Sequence, residues 1–99
     1  MTFLTIQPEM LAAAAGNLED IGSVIATANA AAAPPTIDLA PAAADEVSAL
    51  TAAQFATHAG VYQAVSAQAA AIHQQLVAVL AASSRSYAAT EAANAIAAA

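Results

Sequence analysis

The sequence predicts an all-α fold, an antiparallel hairpin of two helices, from three observations. Alanine is in large excess, apolar residues recur at helical spacing in two blocks, and a proline-rich stretch separates the blocks. Alanine favours helix because it loses no side-chain entropy on ordering. The hydrophobic fraction is 61%, yet aromatic residues are only 4% and charged residues 8%. Most of the apolar content is therefore alanine, which buries little area and builds a weak core.

The first element is expected to run from Pro8 to about Ala33. Pro8 fits the first helical position, where no donor is needed, and Glu9 complements the positive end of the helix dipole. Leu11, Ala14, Leu18, Ile21, Ile25 and Ala28 alternate spacings of three and four and form one packing stripe. Asn17, Glu19, Asp20, Ser23 and Thr27 mostly fall off it. Gly22 costs about 1 kcal/mol relative to alanine and permits close approach.

Residues 34–41 are expected to be the turn. Pro34, Pro35 and Pro41 each remove a donor and restrict the preceding residue. Ile37 and Leu39 would cap the apolar core, and Pro41 would open the second helix with Asp45 and Glu46 near its positive end.

The second helix is expected from about Ala42 to Ala82. Phe55, His58, Tyr62, Val65, Ala69, Ile72, Leu76 and Val79 alternate spacings of three and four without a break, the pattern of a coiled-coil seam. Such a helix is about 60 Å long, against about 39 Å for the first, so part of the seam needs another surface. The hairpin is therefore expected to complete an elongated helical bundle with a partner chain. Alone, the chain should be unfolded, molten or self-associated. Ser83-Ser84-Arg85-Ser86 should loosen the helix, leaving 83–99 as a fraying tail. The expected partner interface is Leu11, Leu18, Ile21 and Ile25 with Phe55, Tyr62, Val65, Ile72, Leu76 and Val79.

Several chemistries are disfavoured. Seven carboxylates against the single Arg85 give a net charge of −6, which offers no basic surface to nucleic acid or anionic lipid. With no cysteine, thiolate metal sites and disulfides are impossible. His58 and His73 lack a metal-ligand partner at helical spacing. Asp45 and Glu46 are adjacent and diverge around a helix, as are Glu19 and Asp20, so neither pair is a catalytic dyad. Gly16, Gly22 and Gly60 form no phosphate loop, and the serines have no base constellation. The expectation is a non-enzymatic chain with no cofactor and no direct metal. Between Glu46 and Arg85 no charge occurs, but polar residues from Ser48 to Gln75 are too frequent for a typical membrane span. Met1–Ile6 has neither the basic region nor the apolar run of a cleavable leader, so any export is expected by another route.

Together, Pro8-Glu9, the alanine-rich helix, the proline-rich turn, the run Pro41-Ala42-Ala43-Ala44-Asp45-Glu46-Val47-Ser48-Ala49-Leu50 and Tyr87-x-x-x-Glu91 resemble the mycobacterial PE family over essentially the whole chain. The resemblance implies a hairpin paired one-to-one with a PPE-family protein and exported by a type VII secretion system, with a secretion chaperone bound through the partner. It implies that Pro8 and Glu9 are the namesake pair and that Tyr87 and Glu91 form the secretion signal. The Trp-x-Gly turn that accompanies this signal would come from the partner, since this chain has no tryptophan. Many members carry a long C-terminal extension, and this sequence looks like a bare PE domain. Two other expectations compete: a helical protein of membrane or cell surface that contributes to envelope permeability or host interaction, and an enzyme, for which no constellation can be assembled.

Overall fold

In the computed structural model, which describes residues 6–99, the chain is an antiparallel hairpin of α1 (Pro8–Ile37) and α2 (Glu46–Ala98). No strand occurs among the described residues. The reading of the N-terminus as lacking a leader rests mainly on Met1–Thr5, which lie outside them.

Helix α1 starts on Pro8, with the Met10 amide donating to the Gln7 carbonyl at 3.0 Å and Glu9 exposed in the first turn. It does not stop at Ala33. Pro34 and Pro35 lie inside its last turn, and the helix runs on to Ile37. The two missing N–H groups would have served the carbonyls of Ala30 and Ala31, both exposed residues, where water can replace them. The Thr36 hydroxyl donates to the carbonyl of Ala32 at 2.6 Å and holds the final turn. The Asp38 amide then closes the helix on the Pro34 carbonyl at 2.9 Å.

The connection is 38–45 rather than 34–41, and α2 begins at Glu46 rather than Ala42. Asp45 is the reason. Its extended backbone (φ −121°, ψ 162°) stops helix from propagating towards Pro41, and its side chain caps the turn that follows. One carboxylate oxygen accepts from the Ser48 amide at 2.8 Å, and the other accepts from the Ser48 hydroxyl at 2.9 Å. These bonds hold the Asp45 carboxyl below the usual carboxylate range.

At its other end α2 continues to Ala98, so the expected loosening at 83–86 and the fraying tail are corrected. The Ser84 hydroxyl donates to the Pro8 carbonyl at 2.8 Å instead of competing for its own backbone. Beyond it, alanine is frequent enough to carry the helix. The result is a rod of 80 × 20 × 19 Å. Its buried residues are Ala15, Ala52, Ala59, Val77 and Ser84, and no large side chain is fully buried among the described residues.

Candidate partner interface

Three cross-helix contacts define how the hairpin pairs. Ser84 bonds Pro8, the His73 Nε2–H donates to the Leu18 carbonyl at 2.6 Å, and the Gln63 amide donates to the Asn29 carbonyl at 2.9 Å. The Tyr62 hydroxyl adds a bond to the Asn29 Oδ1 at 2.8 Å. Gly22 makes the His73 bond possible, because a Cβ there would lie 2.8 Å from the imidazole Cδ2. The close approach expected of Gly22 is thus the approach of His73.

The face of α2 turned to α1 consists of Ala52, Ala56, Ala59, Gln63, Ser66, His73, Val77, Leu80 and Ser84, all buried or half-buried. It keeps the heptad spacing but is built mainly from small and polar side chains, with Val77 and Leu80 as its larger apolar members. Each large apolar residue of the predicted seam precedes one of these by a single position, a rotation of roughly 100° around the helix. Phe55 is consequently 59% exposed, Ile72 66% and Val79 61%, and Tyr62, Val65 and Leu76 stand out similarly. Where His73 and Ser84 reach carbonyls across the gap the backbones are close, and the face admits Val77 and Leu80 but not the larger stripe beside it.

On α1, Leu11 and Leu18 turn towards α2 and are half-buried, whereas Ile21 and Ile25 remain exposed. The predicted stripe of α1 is therefore divided between the two surfaces. Met10 and Val24, which the apolar count omitted, also stand exposed. Between the helices lies a cleft of about 650 Å³ whose lining includes Gly22, Ala26, Asn29, Ile25, Tyr62, Ser66, Ala70 and His73. His58 is exposed and lines a shallow depression with Thr51, Gln54 and Phe55. Apolar counting hid the internal seam because its members, Val77 and Leu80 apart, are polar or alanine. A count of Gln63, Ser66, His73 and Ser84 by spacing alone would have found it.

Residues 85–98 of α2 follow the Ser84–Pro8 bond, the last hydrogen bond to α1 among the described residues, and all are exposed. Tyr87 and Glu91 lie there, one helical turn apart on a shared side, with Tyr87 45% exposed. Pro8 contributes its carbonyl to Ser84, and Glu9 faces solvent. Among the described residues no group of three or more histidine, aspartate or glutamate side chains could hold a metal ion. By length and composition alone α2 could cross a membrane. Gln63 and His73 on its α1-facing side, with the exposed Gln54, Gln68, Gln74 and Gln75, oppose that by chemistry.

Fold and surface together define a class, a helical hairpin closed by polar contacts within and bearing a long uncovered apolar stripe without. The PE family pattern matches residues 4–94. Over 98 residues the chain is 64% identical to the PE family protein PE13 of Mycobacterium tuberculosis, covering 99% of each chain. It is 59% identical over 95 residues to a PE-PGRS family protein, PE_PGRS33, of the same organism, covering 96% of this chain and 20% of that protein. It is 58% identical over 92 residues to PE cleavage protein A, covering 93% of this chain and 16% of that one. The chain belongs to the PE family. It spans nearly all of PE13 but a fifth or less of the two longer relatives, whose whole-protein activities remain their own.

Proposed function

We propose that this chain is the non-enzymatic subunit of a heterodimer with a PPE-family protein, assembled in the cytosol and exported by a type VII secretion system to the cell surface or beyond. The observation that carries this reading is the exposed stripe Phe55, Tyr62, Val65, Ile72, Leu76 and Val79, a heptad seam left without a covering helix. A partner presenting two helices would cover that stripe together with Ile21 and Ile25, completing a four-helix bundle. A secretion chaperone would then bind through the partner. Tyr87 and Glu91, clear of the hairpin, suit a receptor groove that reads an aromatic anchor and a carboxylate together.

The experiment pairs two readouts for Tyr87→Ala and Glu91→Ala: complex recovered from the cytosol, and protein in the culture filtrate. Assembly should stay within about 0.5 kcal/mol of the parent, as for surface substitutions generally. Export should fail, since losing a recognition anchor commonly costs about 2 kcal/mol or more of binding. Normal export of an assembled variant would remove the signal role. A second reading, an envelope or membrane helix, draws on the length and apolar character of α2. It requires the protein to partition into membranes without a partner chain, which a membrane fraction taken from the same cells detects.

A further inference from the structure

We infer that the register of the hairpin is selected by the cross-helix hydrogen bonds of Tyr62, Gln63, His73 and Ser84, and not by apolar packing between the helices. The contacting faces give apolar packing little to read. Over the half of the hairpin nearest the connection, α2 offers only Ala52, Ala56 and Ala59 to α1 as apolar residues, and the larger apolar side chains of the contacting faces, Leu11 and Leu18 with Val77 and Leu80, are confined to the far half. Sliding α2 by one heptad moves it about 10 Å and changes the apolar contact mainly at Val77 and Leu80. The eight-residue connection, 38–45, can reach about 26 Å when extended, so it does not forbid the slide.

The polar contacts do discriminate. Pro8 faces Ser84, Leu18 faces His73 and Asn29 faces Gln63, so they fall about every three helical turns from the start of α1 to Asn29. Each ends on a backbone carbonyl of α1, which is present at every position, but the donors on α2 are not. His73 is further restricted, because its ring needs the missing Cβ of Gly22. A slide by one heptad sets the ring against a residue with a side chain and leaves half-buried donors without their acceptors. These four side chains are therefore positioning residues. They fix how far residues 85–98 extend past α1 and how Ile21 and Ile25 align with the stripe on α2. The inference concerns the hairpin itself and holds for any partner.

The natural sequence has no cysteine, so disulfide trapping reads the register cleanly. Counting between the Ser84–Pro8 and His73–Leu18 bonds sets Ala15 opposite Val77, both buried, whereas Ala70 is one heptad away, beyond the reach of a disulfide. The full chain is produced in its native host with either Ala15→Cys and Val77→Cys or Ala15→Cys and Ala70→Cys, then oxidised in the cells and scored by thiol labelling. In the parent only the first pair should close. In a background of Tyr62→Phe, Gln63→Ala, His73→Ala and Ser84→Ala, closure of the second pair should rise about tenfold or more, since each lost bond shifts such an equilibrium by roughly two- to tenfold. Reinstating His73 and Ser84 together should return closure to the first pair. If the four-substitution chain still closes only the first pair, apolar packing sets the register and the inference fails. It fails equally if neither pair closes, because the bonds then hold the helices together without choosing between registers. Persistence of the second pair after reinstatement would also overturn it.

Discussion

Gly22 and His73 show how one absent methyl group can carry a contact across a hairpin. A glycine in mid-helix costs about 1 kcal/mol relative to alanine, and here that cost admits an imidazole to the Leu18 carbonyl. The two positions should consequently be coupled. Gly22→Ala is expected to give no gain in the parent, because the new Cβ displaces His73, but to stabilise a His73→Ala background by about 1 kcal/mol. A double-mutant cycle on denaturation of the assembled complex measures the coupling, expected at 0.5 kcal/mol or more. Asp45 makes a different kind of local contribution. With its carboxyl held below the usual range by the Ser48 amide and hydroxyl, the cap is complete above that range and is lost as pH falls through the lowered value. Amide exchange at Val47 and Ser48 should accelerate on acidification. In Asp45→Ala it should be fast already at neutral pH and insensitive to that acid step.

At the scale of the helices, the two heptads of α2 divide the work, one closing the hairpin with small and polar groups and the other presenting large apolar groups outward. Ile72→Asp or Leu76→Asp should therefore leave the contacts between α1 and α2 untouched yet abolish pairing with a partner, by placing an unpaired charge in the covered surface at a cost of several kcal/mol. Ala64→Ser, on the exposed surface of α2 away from the stripe, should change pairing little. Recovery of the complex by affinity purification distinguishes them, and normal yield of the Asp variants would show that the stripe is not the covered surface. Helical content and the heptad repeat were legible in the sequence, because alanine propensity and alternating three-four spacing act locally. Which heptad meets α1 was not legible, because an apolar count ranks Phe55 above Ala56, whereas close backbone approach favours Ala56. The ends of the elements were displaced for similar reasons. Pro34 and Pro35 are harmless in a last turn whose freed carbonyls reach water, and Ser84 supports α2 only once Pro8 has been brought beside it.

The whole molecule is a rod 80 Å long with almost no interior. Its buried apolar residues are three alanines and Val77, while seventeen large apolar side chains are exposed among the described residues. Burying a Leu, Ile or Phe contributes roughly 1.5–3 kcal/mol, and alanine far less, whereas ordering each residue costs on the order of 1–2 kcal/mol. On the proposed reading, two long helices ordered for so little burial would gain most of their stability from a partner covering the stripe, and that stabilisation would grow with partner concentration. The isolated chain should consequently show helical circular dichroism at most, without a cooperative transition, and should sediment as aggregates or as a polydisperse population. Mixed with its partner, it should give one elongated species with a steep melt whose midpoint rises with concentration. Calorimetry and sedimentation of the same samples decide the matter. A sharp transition above about 50 °C from the isolated monomer, within the range of small self-sufficient domains, would mean that the polar seam alone sustains the fold and that the exposed stripe is free to serve a partner without depending on it.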